Sequence, residues 1–201
     1  MKRHLRSLPA LTGMFLLSAC VSFGGKPPAT LLTLTADTGG AAVAPRNSAD
    51  ASTLMVLVPT VPQSLANDHV AVRTSDNSLA YLKDARWSDQ PAHLFADLLS
   101  ETISARTGRL VVDRRQYALA PGQRLTGRVQ QFELDAVKRE VVIVYDAALA
   151  PGDGKPLLAR RFEARVATAS EKPVPVAQAL NQAANEIAGQ VVEWLGPAAT
   201  P

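Results

Sequence analysis

The sequence predicts an α/β (α+β) fold, a two-layer sandwich in which a mostly antiparallel sheet carries two amphipathic helices. Two segments, 91–106 and 174–195, repeat apolar residues at helical spacing between clear start and stop signals. Between them, residues 109–169 hold short alternating or β-branched runs separated by turn-forming residues. Each helix is apolar on one side only, so each needs a second layer to cover.

Residues 1–19 divide into a basic start, with Lys2, Arg3 and Arg6 and no acid, and an apolar run from Leu8 to Leu17 broken by Pro9, Thr12 and Gly13. This is the layout of a secretory signal peptide. The run is too short for a membrane-spanning helix, which takes about 20 residues. It ends at Leu17-Ser18-Ala19-Cys20, where the chain's one cysteine stands. These four residues resemble the lipobox of bacterial lipoproteins. Small side chains let the peptidase hold extended backbone against its catalytic groups, and only a thiol makes the thioether to diacylglycerol. The resemblance makes Cys20 the lipidated residue, carrying acyl chains such as palmitate, and the N-terminus of the mature protein. The alternative is a secreted protein cut after Ala19 with a free thiol. Several acyl chains anchor a protein stably where one is marginal. Val21 stands where an aspartate usually retains Gram-negative lipoproteins at the inner membrane, so the periplasmic face of the outer membrane is the expected destination.

Removing residues 1–19 also removes the charge imbalance. The whole chain has 21 Lys+Arg against 18 Asp+Glu, and the leader takes three basic residues and no acid, leaving 18 against 18. A neutral mature chain gives no electrostatic ground for a nucleic acid or an anionic surface as partner.

Residues 20–30 read as the lipidated cysteine and a Gly- and Pro-rich tether, 31–196 as one domain, and 197–201 as a tail. A strand is expected at 31–36, a loop of small residues at 37–52, and a strand buried on both faces at 53–61, which is continuously apolar. The first helix starts at Pro91 with Ser88 or Asp89 as N-cap, turns Leu94, Phe95, Leu98, Leu99 and Ile103 to one side, and stops at Gly108. A short strand follows at 109–113. In the long strand 123–137 the apolar parity changes, Leu125 and Val129 being odd and Phe132 and Leu134 even, which predicts a β-bulge near Gln130 and Gln131. Tight turns at Lys138-Arg139 and at 151–156 then join strands 140–149 and 157–169 into a meander with one wet face. The last helix puts Val176, Leu180, Ala184, Ile187, Val191 and Trp194 or Leu195 on one stripe and Gln178, Gln182, Asn185, Glu186 and Glu193 opposite, and Gly196-Pro197 ends it.

The order of lipobox, tether, helix, meander and C-terminal helix, with Val70-Ala71-Val72-Arg73, Leu79-Ala80-Tyr81 and Arg86-Trp87-Ser88 before the first helix, resembles the ABC-type transport auxiliary lipoproteins. The resemblance spans nearly the whole mature chain. It departs at Ser88, where the family often has alanine, and in the loop 37–52. It implies a non-enzymatic component of an envelope lipid transport system, important for membrane integrity. The implied partners are an MCE-domain protein, which the lipoprotein docks at the outer membrane, and an ABC permease and ATPase. The alternative is a structural or assembly lipoprotein of the outer membrane with no part in lipid flux. A homo-oligomer is compatible with either.

The residues themselves offer no catalytic set. His4 leaves with the signal, and His69 and His93 share no metal-ligand spacing with each other or with a second cysteine. No cofactor or metal is expected. The GDG at 152–154 falls in a hairpin turn, not between strand and helix as a phosphate loop requires. The arginines at 109–128 and 160–165 mostly alternate with apolar residues and read as a solvated sheet face. Arg73, Tyr81, Arg86 and Trp87 fall within fifteen residues and have two readings. They form a docking hot spot, since Trp, Tyr and Arg dominate such sites, or the aromatics are packed in the core.

Overall fold

The computed structural model describes residues 30–39, 53–112, 122–151 and 156–197. The signal peptide, Cys20, nearly all of the tether, most of the loop 37–52, the GDG turn and most of the tail lie outside them. The strands are β1 (Thr30–Leu32), β2 (Thr53–Val56), β3 (Ala71–Ser75), β4 (Ser78–Tyr81), β5 (Ala85–Trp87), β6 (Leu110–Val112), β7 (Gln123–Asp135), β8 (Glu140–Ala150) and β9 (Leu158–Ala167). The helices are α1 (Pro91–Thr107) and α2 (Pro173–Leu195). Together they make the expected mixed two-layer fold, with the sheet curled into a half-barrel.

The meander is the frame. β7 and β8 pair antiparallel from Arg124↔Ala150 to Asp135↔Glu140, and β8 pairs β9 from Glu140↔Ala167 to Leu149↔Leu158. The register slips between Val129 and Gln131, leaving Gln130 out of the ladder and its side chain donating to Asp146 at 3.0 Å. The slip is the expected bulge. It turns Leu125 and Val129 to the same buried side as Phe132 and Leu134, reconciling odd with even. The turn closes at Arg139, with φ of 55°, while Asp135 accepts from the amides of Val137 and Lys138.

The other edge of β7 is divided between two shorter parallel strands. β2 pairs with Gln123–Leu125 and β3 with Glu133–Asp135, while β6 extends the sheet beyond β2 and β4 beyond β3. The sheet is therefore antiparallel over its long strands and parallel along this edge. The continuous apolar run predicted at 53–61 narrows to a four-residue strand in which Thr53, Leu54 and Met55 are buried, as a parallel strand flanked on both sides requires. Gly127 is needed where β7 passes under Tyr145: a Cβ there would lie 2.3 Å from the Asp146 carbonyl oxygen and 2.6 Å from the Tyr145 ring.

Both helices cover the same sheet face. α1 buries Phe95, Leu98, Leu99 and Ile103, with Leu94 at the margin, and ends at Gly108 in the left-handed region, φ 75°. Its N-cap is Gln90, not Ser88 or Asp89, and makes no side-chain cap bond. Asp89 sits one residue too early. Its carboxylate accepts from the Gln90 amide at 2.6 Å and contacts His93 Nδ1, and the Gln90 N–H is the main reason its carboxyl titrates below the ordinary range. α2 buries Val176, Leu180, Ala184, Ile187 and Val191 against β8 and β9, following the predicted stripe.

The strands β3 to β5 and two further features have no counterpart in the sequence reading. Arg109 is buried, not part of a solvated face: it donates to the carbonyls of Leu195 and Pro197 at the end of α2 and to Gln123 Oε1. A cation at the C-terminal carbonyls also opposes the helix dipole there. The segment after β1 lies extended along α2. Asn181 accepts from the Thr35 amide, and Asn185 accepts from the Asp37 amide and donates to the Thr35 carbonyl. Asn185, which reads in sequence as a solvated residue, fastens this arm while Leu32, Leu34 and Ala36 alternate toward the core.

Candidate docking surface

The sequence-predicted docking residues are distributed over both sides of the fold. β3 and β4 form a hairpin in which Arg73 opposes Leu79 and Ala71 opposes Tyr81, so Arg73 and Tyr81 share a face. Tyr81 is half exposed. Its ring tilts over His69 at 4.8 Å, its hydroxyl donates to the Ser64 carbonyl at 3.4 Å, and it accepts from Asn67 Nδ2. Arg86 holds the neighbouring Asp68 through one nitrogen, at 2.9 and 3.0 Å from its two oxygens. That hydrogen bond is the main reason the Asp68 carboxyl is drawn below its usual range. The turn Asn67-Asp68-His69 thus joins Tyr81 and Arg86 at one corner of the molecule.

Arg73 reaches away from this corner. Its Nε donates to Glu133 Oε1 at 2.7 Å and its Nη1 to the Asp76 carbonyl. The Glu133 side chain is only 5% exposed, so Arg73 neutralises an almost buried carboxylate that also accepts from Gln131. Breaking such a pair leaves an uncompensated charge. Beside it opens a cavity of about 290 Å³ lined by Arg73, Gln131, Glu133, Lys138, Val142 and Arg165.

Trp87 has no surface to offer. It is 2% exposed, packs edge-on against Phe132 with centroids 5.6 Å apart, and its Nε1 has no hydrogen-bond partner among the described residues. The docking reading therefore contracts to Arg73, Tyr81 and Arg86, with Trp87 as the core residue beneath. Its amide donates to the Asp68 carbonyl at 2.7 Å, which fixes the corner to the core.

The outer face of the meander carries paired charges. Arg161 forks onto Asp146 at 2.6 and 2.9 Å, drawing that carboxyl down to about 2 with help from Gln130, and Arg165 bridges Glu140 and Glu163. Exposed pairs of this kind contribute at most about 1 kcal/mol each. On the polar side of α2 a wider groove of about 630 Å³ runs past Arg106, Asn181, Asn185 and Glu186. Among the described residues no group of three or more His, Cys, Asp or Glu could hold a metal ion, and no helix is long and apolar enough to cross a membrane.

Comparison with known proteins follows this architecture. The sequence model of the family described as "ABC-type transport auxiliary lipoprotein component" matches residues 32–192. No curated protein matches the sequence. Among solved structures, protein XCC0632 from Xanthomonas campestris, of the family DUF330, is similar with a TM-score of 0.65 at 19% identity, over 82% of this chain and 94% of that one. A crystal structure of an uncharacterized protein is similar with a TM-score of 0.64 at 19% identity, over 72% of this chain and 92% of that one. At this identity the likeness establishes a shared fold.

Proposed function

From the premise that the chain belongs to the family of ABC-type transport auxiliary lipoprotein components, we propose that it is a non-enzymatic outer-membrane lipoprotein that docks the MCE-domain protein of an ABC-type lipid transport system. The observation that carries this reading is the family match across residues 32–192, nearly the whole of the predicted domain. The Leu17-Ser18-Ala19-Cys20 sequence supports a lipid anchor and Val21 supports sorting to the outer membrane, where the chain faces the periplasm. Tyr81 and Arg86, half exposed and oriented by the Asn67-Asp68-His69 turn, are the surface contacts assigned to docking, with Arg73 on the same hairpin face but turned away toward Glu133.

The anchor is tested first. Cys20→Ala removes the only thiol in the chain, so incorporation of a clickable fatty acid falls to background and the protein accumulates as precursor or in the soluble periplasmic fraction. Persistent label on the variant contradicts the anchor. For docking, Arg86→Ala is expected to weaken binding to the MCE-domain protein by about 1 to 3 kcal/mol, as hot-spot truncations do. Its melting temperature stays nearly unchanged, because an exposed ion pair adds little to stability. Binding by titration and melting on the same preparation check this; a folded variant with undiminished affinity removes Arg86 from the surface.

A further inference from the structure

We propose that one end of the domain, formed by the β7–β8 turn and the N-terminus of α2, rests directly on the lipid surface that holds the anchor; this builds on the reading of Cys20 as lipidated. β7 ends at Asp135 and β9 at Ala167 on this side, and the Thr168 amide donates to the Arg139 carbonyl, which brings the turn and the entry to α2 to the same end. At the opposite end, Arg109 ties the last turn of α2 to Gln123 at the start of β7.

The chain entering from the anchor arrives at the first of these ends. Thr35 and Asp37 bond to Asn181 and Asn185. Four helical residues rise about 6 Å and two extended residues about 6.6 Å, so arm and helix advance together. Counting back in the same proportion sets Leu31 level with Pro173, the first residue of α2. Nine residues, 21–29, separate Cys20 from Thr30, and the ten Cα steps between them reach at most about 36 Å. α2 is 23 residues, about 35 Å long. The far end of the domain, one α2 length beyond the point of entry, meets the bilayer only with the tether drawn to almost its full reach, whereas the entry end meets it at any extension.

The side chains presented there suit a lipid surface. Val137, Leu31 and Val174 are 70%, 66% and 57% exposed; Lys138, Arg139 and Lys172 are sequence neighbours of Val137 and Val174, with the acids Asp76 and Glu171, while Leu31 pairs beside Arg86, whose charge Asp68 offsets. Leu157 and Leu158 are comparably exposed at the other end, so exposure alone does not select a side. The entry point of the chain does. Apolar side chains interleaved with cations bind the boundary between headgroup and acyl chain, with an anionic-lipid contribution that remains small here.

The test uses the lipidated full chain in phosphatidylethanolamine–phosphatidylglycerol vesicles. Lipidation consumes Cys20, so single substitutions Val137→Cys, Val174→Cys and Leu157→Cys each accept one environment-sensitive fluorophore. A blue shift and several-fold stronger quenching by nitroxide-labelled lipid at positions 137 and 174 than at 157 is the expected result. Vesicle-bound protein whose three probes all stay in water, or whose 157 probe is quenched as strongly as the others, overturns the proposal and leaves the anchor intact. Protein that does not associate with vesicles at all overturns the anchor and the proposal together. A response that appears only when envelope proteins are added assigns this end to a protein partner and also overturns it.

Discussion

Trp87→Ala is expected to lower the unfolding free energy by about 3 to 5 kcal/mol, the range for removing a large aromatic from a core. Trp87 fills the space between β5 and the sheet, edge-on to Phe132, which in turn meets Phe95 of α1 at 6.1 Å. Truncation opens a void at the point where β1, β5 and α1 meet the long strands, since Leu32 pairs beside Trp87 in the parallel β1–β5 ladder. The Nε1 of Trp87 is buried and has no partner among the described residues. Trp87→Phe, which also removes that desolvated N–H, should therefore cost clearly less than Trp87→Ala. Urea unfolding of both variants checks the pair. A Trp87→Ala protein of unchanged stability that fails to bind would return this residue to the docking surface.

The second large effect is at the last helix. Ile187→Ala and Leu180→Ala should each cost about 2 to 5 kcal/mol, because both side chains are fully buried between α2 and the β8–β9 half of the sheet. Gln182 lies on the exposed side and among the described residues its side chain bonds only to Glu186, so Gln182→Ala should stay within about 0.5 kcal/mol. Equal losses at all three positions in urea would contradict the two-layer packing.

What could be read from the sequence was local. Parity along β7 disclosed the bulge because each apolar residue has only two faces to choose from, and one slip restores the buried set. The stripe on α2 was legible because Val176 to Val191 repeat at the helical period. Long-range pairing was not. Nothing in 53–61 or 71–75 says that these strands divide one edge of β7, because strand alternation identifies a face and never a neighbour. Arg109 was misread for a related reason: an arginine beside a strand has the same local pattern whether it faces water or reaches 86 positions along the chain to the Leu195 carbonyl. Asn181 and Asn185 fall on the polar side of α2, and only the arm that crosses them gives their amides a task. Trp87 and Arg86 are adjacent in sequence, and their local pattern fits a docking pair as well as a packed aromatic beside a surface arginine. Strand alternation separates them, one into the core and the other onto Asp68.

These separations leave the family as the ground of the functional reading and Tyr81, Arg86 and Arg73 as its surface. Affinity purification of the full-length lipidated protein from gently solubilised envelopes tests the central claim most directly. The expected result is co-purification of an MCE-domain protein together with an ABC permease and ATPase, reduced when Arg86 is replaced by alanine. Recovery of a correctly lipidated, folded protein with other envelope proteins and no member of such a system would contradict the claim and favour a structural role at the outer membrane.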